Sequence, residues 1–354
     1  MLCSDTIRRL FKNAIFVLTL VVIIGCNSTD NTQQANNTTY QYQIIFESTR
    51  DAPHSDPDFR ENPQKYVELY IMDSDGGNVR RLTYNSFWEH KPEVSPDGTK
   101  ILISIHYTPG RVNETDPGWE IAVMNIDGTG LTRLTENDYL DINAKWNHDG
   151  TKIVYMSDSN KRNADDLKRG FIPQYDIYVM NPDGTGKTRL TYGTVGELFG
   201  DPCFSLADED IIYYIHSAGF SGNFDLWRMR ADGTNKELVL SHNDSLLAIN
   251  DPMTSPDGKT IIFEAKVYDD GSRRLYNIFT IDRNGRNLKR ITLNDGEADI
   301  WPHFSLDGSK IVYFTYIWSD GGHTQQIRIS NPDGTDEINI SSYPWDAFPS
   351  WIPQ

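Results

Sequence analysis

From residue 41 onward the chain alternates short runs of β-branched and aromatic residues with tight polar turns. One set of runs reads Ile101–Ile105, Ile153–Met156, Ile211–Ile215, Ile261–Phe263 and Ile311–Phe314. A second reads Ile121–Met124, Ile177–Met180, Leu226–Met229, Ile278–Ile281 and Ile327–Ile329. Runs this short, rich in residues that suit a pleated surface, predict strands. Two turn motifs punctuate them. The first is Ser95-Pro96-Asp97-Gly98-Thr99-Lys100, repeated at Asn147, in degraded form at Ser205, and again at Ser255 and Ser305, with spacings of 52, 58, 50 and 50 residues. The second is Asp75-Gly76, Asp127-Gly128, Asp183-Gly184, Asp232-Gly233, Asn284-Gly285 and Asp333-Gly334, followed by Arg-Leu-Thr at Arg81, Arg133 and Arg189 and by Arg-Ile-Thr at Arg290. Asp-Gly and Asn-Gly supply the positive φ of a hairpin reversal.

One period therefore holds four strands, a to d, with the first motif in the a–b turn and the second in the c–d turn. Four strands per roughly 40–50 residues is the period of a propeller blade. The N-terminal run Tyr42–Phe46 aligns with strand b, so the first blade lacks its own strand a. The C-terminal Ala347-Phe348-Pro349-Ser350-Trp351 matches strand a, as in Ile300-Trp301-Pro302-His303-Phe304. The expected fold is an all-β, six-bladed propeller of four antiparallel strands per blade, closed by the C-terminal strand completing blade 1. Closure removes an exposed sheet edge, so nothing demands pairing and a monomer is expected.

The Pro-x-Phe/Trp-Ser-Pro-Asp-Gly and Asn-x-Asp-Gly-Thr-x-x-x-Arg-Leu-Thr patterns resemble the WD-like repeats of TolB-type six-bladed propellers, over nearly all of residues 41–354. Periplasmic TolB carries a separate domain ahead of its propeller. Here the preceding segment is different. Arg8, Arg9 and Lys12 precede an apolar run from Ala14 to Ile24, 11 residues long, which suits a signal peptide and is too short for a stable membrane span. It ends in Ile23-Ile24-Gly25-Cys26, which resembles a bacterial lipobox. The expected organisation is a signal peptide over 1–25, a lipidated Cys26 with an Asn/Thr/Gln-rich tether over 26–40, and the propeller over 41–354. Asn27 in place of Asp favours sorting to the outer membrane, facing the periplasm.

In an up-and-down blade the a–b and c–d turns share one face, and the b–c loops and d–a crossovers share the other. The long insertions Ser48–Tyr66, Tyr107–Trp119, Ser157–Tyr175 and Tyr268–Tyr276 all fall on this second, loop face. Variable loops on a rigid scaffold are where binding usually resides. Two sets of candidate site residues open there. An acid stands near the start of every strand a: Glu89, Asp141, Asp201, Asp251, Asp299 and Asp346. Six carboxylates about one axis form a candidate site for Ca²⁺ or for a cationic partner segment. Alternatively each acid caps its own crossover turn, a reading favoured by its repetition in every blade. At the exit of strand b stand Thr49, His106, Asp158, His216, Lys266 and Tyr316, which differ between blades. His106 and His216, with His90 nearby, are candidate metal ligands, and Lys266 and Tyr316 a candidate base and acid. Trp119, Tyr175 and Trp318 are expected to be exposed contact residues. Cys203 is expected to pack as a small hydrophobe, and His303 to pack within strand a.

Charge and missing motifs narrow the function. Lys+Arg 33 against Asp+Glu 50 leaves a net charge of -17, which repels phosphate backbones and argues against nucleic acid. No Gly-x-Ser-x-Gly, phosphate loop, Cys-x-x-Cys or His-Glu-x-x-His occurs. The expected function is a lipid-anchored envelope protein that recognises a protein or glycan through the loop face and axial funnel, touching the membrane only through its lipid. The alternative is a metal-assisted polysaccharide lyase or hydrolase using His106, His216, Lys266 and Tyr316. Oligogalacturonate lyases, which are propellers with His-based metal sites, suggest it.

Overall fold

Strands whose two faces are both apolar must be covered on both sides, and the ring provides that cover. In a computed structural model, residues 42–53, 66–85, 87–106, 118–137, 139–158, 174–194, 196–208, 210–219, 222–269, 274–293, 296–319, 322–341 and 343–353 are described. They form six four-stranded antiparallel sheets. Blade 2 shows the pattern: strand a is Trp88–Val94, b Lys100–His106, c Trp119–Asn125 and d Thr132–Arg133. Strand a opens likewise with Asp141–Trp146, Glu197–Phe204, Ala248–Thr254 and Glu297–Phe304 in blades 3 to 6. Blade 1 is assembled from both ends of the propeller, with Ala347–Ile352 pairing beside Gln43–Ser48, as the repeat arithmetic predicts. The expected signal peptide, Cys26 and tether, and most of the long b–c insertions, lie outside the described residues.

The core is divided among the blade interfaces. Ile44, Phe46, Tyr70 and Met72 face blade 6, meeting Val312, Phe314 and Ile327, while Ile45, Leu69 and Ile71 face blade 2 and meet Ile101, Ile103 and Ile105. Successive residues of one strand thus serve opposite neighbours, which is the period-2 rule applied to two buried faces.

The second repeated motif is structural, and its Asp-Gly turn meets the Arg-Leu-Thr of the preceding blade. In the c–d turn, Asp183 accepts from the Thr185 amide and hydroxyl at 2.9 and 2.6 Å, locking the reversal. Gly184 then lies with φ +81, and a Cβ there would sit 2.7 Å from the carbonyl oxygen of Leu134, the leucine of Arg-Leu-Thr in the preceding blade. The same approach recurs at Gly128 on Leu82 and at Gly233 on Leu190, each 2.8 Å. The threonine of Arg-Leu-Thr accepts from a strand c amide: Leu69 on Thr83, Ile121 on Thr135 and Ile177 on Thr191, all at 2.9 Å. The arginine grips the acid that opens strand c, Arg81 on Glu68 at 2.6 Å and Arg189 on Asp176 at 2.7 Å. One motif therefore fastens strand d to strand c and seats the next blade.

Candidate functional site

The acids near the start of strand a separate into two groups. Glu89, Asp141, Asp299 and Asp346 are fully buried and hold their own crossovers. Glu89 accepts from the Thr83 hydroxyl at 2.5 Å and the Asn85 amide at 2.8 Å. Asp141 accepts from Asn137 at 2.8 Å, Asp299 from Thr315 at 2.7 Å and from Thr292 in its crossover, and Asp346 from Arg50 at 2.7 Å and from Ser341 in its crossover. Burial raises all four carboxyls, Glu89 to about 7. These four act as caps, so the expected single ring of six is not formed.

Asp201 and Asp251 differ by register. The cap position in their blades is held by Phe199 and Ile249, paired with His216 and Ala265. Each acid lies two residues further on, in a β-bulge that interrupts strand a of every blade. The bulge residues are Lys91, Asn143, Asp201, Asp251, Trp301 and Phe348, all with φ between 43° and 60°. Proline follows in five of the six, at Pro92, Pro202, Pro252, Pro302 and Pro349. A bulge needs no ladder N–H at that point, so proline is accommodated there. The left-handed backbone re-aims the side chain at each bulge, and the six converge around the axis. Lys91 Nζ lies 4.5 Å from the Trp301 ring, Trp301 lies 5.5 Å from Phe348, and Asn143 donates to Asp201 at 2.6 Å.

On the acidic side of this ring is a pocket of about 320 Å³ lined by Lys91, Asn143, Tyr175, Asp201, Asp251, Glu264 and Tyr276, among others. Glu264, from strand b of blade 5, accepts the Trp301 amide at 2.6 Å. Burial, and then the charges of Asp251 and Asp201, push its carboxyl well up. Asp201 and Asp251 against one lysine, with Glu264 holding its proton beside them, make the pocket a receptor for positive charge. Below it, two residues past each bulge, stand Glu93, Lys145, Cys203, Met253, His303 and Ser350. Lys145 donates to the Met253 sulfur at 2.9 Å, and His303 Nδ1 is 3.7 Å from Glu93. Burial raises the Glu93 carboxyl to about 7, lowers His303 well below its usual range with help from Lys145, and raises the Cys203 thiol to about 12. Cys203 is thus a buried, protonated thiol, and His303 packs within strand a, stacked on Trp301 at 5.5 Å.

The strand b exit set is dispersed. Thr49, His106 and Asp158 are buried. His106 packs edge-on to Trp119 at 5.5 Å, and Asp158 accepts the Leu140 amide at 2.9 Å. Lys266 pairs with Asp269 at 3.1 Å, and Tyr316 stacks with Trp318 at 6.1 Å. His216 is displaced by one residue from this register, where Ser217 stands; its ring stacks on Phe199 at 4.5 Å. The candidate catalytic residues His106, His216, Lys266 and Tyr316 thus stand on blades 2, 4, 5 and 6, each engaged within its own blade. Among the described residues no three His, Cys, Asp or Glu side chains are grouped to hold a metal ion. Calcium takes about 6–8 oxygens, and with four of the acids committed as caps the axial donor set does not fit it. Two expected contact aromatics are corrected as well: Trp119 is 0% exposed and Tyr175 7%, because Trp119 opens strand c of blade 2, Tyr175 stands just before that of blade 3, and both fill the blade 2–3 seam with Leu140 and Ile142. Trp318 remains partly exposed.

Glu264, Lys91 and the bulge ring were not recognised from sequence. The available signal was the recurrent proline ahead of the Ser-Pro-Asp-Gly turn: aligning blades on it, rather than on the nearest acid, places Asp201 and Asp251 with Lys91 and Trp301.

Known proteins carry this architecture. An uncharacterized protein of Agrobacterium fabrum is 28% identical over 230 residues, covering 63% of this chain and 69% of its own length. A TolB homologue of Chlorobium luteolum is 27% identical over 133 residues, 38% of this chain and 26% of its own. The crystal structure of TolB from Acinetobacter baumannii superposes with a TM-score of 0.62 at 16% identity, covering 88% of this chain and 67% of that one, a likeness of fold. Residues 111–298, more than half of the chain, match the TolB beta propeller domain, and the chain belongs to that family.

Proposed function

We propose that this protein is a cell-envelope binding protein that holds a basic segment of a protein partner in the axial pocket of its loop face. The observation that carries the reading is the convergence of Asp201, Asp251 and Glu264 on one pocket of about 320 Å³. Membership in the TolB propeller family supports a binding role in the envelope. The net charge of -17 draws basic partners from a distance and speeds their encounter. Lipid attachment at Cys26, with the propeller tethered to the outer membrane and facing the periplasm, completes the proposal. Cys26→Ser is expected to abolish acyl labelling and release the protein from membranes; retention of both would reject the anchor.

The pocket is tested by envelope pull-down. Asp201→Asn with Asp251→Asn is compared with Asp210→Asn with Asp244→Asn, which removes the same charge from exposed positions. The expected result is a protein retained by the wild type and by the surface variant, lost by the pocket variant, and released by salt. Equal retention by both variants rejects the axial reading.

A further inference from the structure

A second cavity of about 350 Å³ opens on the loop face between blades 6, 1 and 2. That is near the lower end of the range for small-ligand pockets, about 300–1,000 Å³. Its wall is aromatic. Trp88, Tyr316 and Trp345 are half-buried along it, His323 lies 5.3 Å from Tyr316 and 5.1 Å from Trp345, and Phe348 closes the floor.

The two indoles are not demanded by the fold. Trp88 and Trp345 occupy one repeat position, immediately before the cap acid. In blades 3 to 6 that position holds Leu140, Leu198, Ala248 and Ala298. Leu140 makes the same parallel bridge to the neighbouring strand c that Trp345 makes to Gln325. Leucine therefore satisfies the architecture; Trp88 also packs edge-on to Trp119 at 4.8 Å, and both tryptophans add flat apolar surface to this cavity.

The polar groups beside them are hydroxyl, indole, amide and imidazole groups. Buried Thr49 Oγ1 and Trp88 Nε1 have no hydrogen-bond partner among the described residues, and Gln325 and His323 also line the cavity. A buried donor or acceptor without a partner is costly, and a ligand that supplies one recovers that energy. Among the described lining residues there is no Lys or Arg to receive an anion. The one carboxylate, Glu47, already accepts from His90 at 3.1 Å and from the Lys91 amide at 2.6 Å, so it is committed rather than waiting for a cation. Flat apolar faces combined with hydrogen-bond donors and acceptors match a pyranose, whose axial C–H groups form an apolar face and whose hydroxyls both donate and accept. The geometry points to this cavity as a binding site for a neutral sugar ring of a glycan, stacked against Trp88 or Trp345 and hydrogen-bonded by Thr49, Gln325 and His323. It uses a different wall of the loop face from the acidic pocket and stands or falls separately.

The test follows intrinsic tryptophan fluorescence of the full chain during titration with cellobiose, lactose, mannobiose and di-N-acetylchitobiose, with digalacturonate and choline as charged probes. At least one neutral disaccharide is expected to give a saturable change. Trp345→Leu and Gln325→Ala, each confirmed to keep its thermal midpoint, are expected to weaken it about tenfold or more. Asp201→Asn with Asp251→Asn should leave it unaltered. The proposal is overturned if no neutral sugar saturates up to about 10 mM, if a charged probe binds more tightly than every neutral one, or if binding survives both pocket variants.

Discussion

Glu89 is fully buried, yet it carries two hydrogen bonds that favour its ionised form. Desolvation outweighs them, and the carboxyl rises to about 7. The folded state therefore holds that proton more tightly than the unfolded chain does. The stabilisation is complete below the unfolded carboxyl range and is lost as pH rises toward and through 7. Urea unfolding at pH 5 and pH 8 should show wild-type stability falling over this window. Glu89→Gln should narrow the gap by at most about 3 kcal/mol, and an unchanged gap would assign the pH dependence elsewhere. The turn aspartates act with the opposite sign and outside this window. Hydrogen bonds from Lys259 and Ser255 hold Asp257 at about 2, so its contribution disappears only in strong acid.

At the scale of the element, the c–d turn and the Arg-Leu-Thr segment of the preceding blade act as one device. The glycine of the c–d turn is required twice over, by its left-handed φ and by the carbonyl of the preceding blade. Gly184→Ala meets both constraints and should cost about 2 kcal/mol or more. Gly219 has φ +110, but a Cβ there meets nothing within 4 Å. Gly219→Ala should therefore cost only the backbone strain, about 1 kcal/mol. Denaturant midpoints of the two variants separate the effects: equal losses would mean that the blade contact adds nothing. The bulge in strand a is the second device. It turns one side chain per blade toward the axis while strand b continues unbroken, so sequence differences at a single position, from Lys91 to Phe348, decide the chemistry of the funnel.

At the scale of the molecule, stability depends on closure. Trp351 packs against blade 6 and donates to the His303 carbonyl at 3.1 Å, and its strand covers the edge of Gln43–Ser48. Removing residues 344–354 leaves that edge with open N–H and C=O groups and uncovers part of the core shared by blades 1 and 6. The truncated chain should self-associate on size exclusion and lose its cooperative urea transition, and a synthetic peptide spanning 344–354 should restore both. A truncated chain that stays monomeric with an unchanged transition would show that closure is dispensable. The same ring makes the proposed binding pocket composite. Lys91, Asn143, Asp201, Asp251 and Glu264 come from blades 2 to 5, far apart in sequence and joined only at the axis.

The sequence by itself determined the architecture. Turn chemistry and period-2 hydrophobicity are local, and six near-copies leave one way to cover every apolar face, so blade number, strand order and the closing strand were all legible. It also showed Cys203 as a packed thiol and His303 as a strand a residue. Which acids reach the axis was decided only by the tertiary structure. A bulge shifts the register by one residue, and a one-residue shift sends a side chain to the opposite face. Asp201 stands four residues before its turn serine and Asp299 six, a difference visible in the chain, but only the bulge at the nearer position makes one line the funnel while the other caps a crossover. Trp119 and Tyr175 stand beside long polar loops in sequence but are enclosed by the neighbouring blade, because burial depends on what packs from outside the segment.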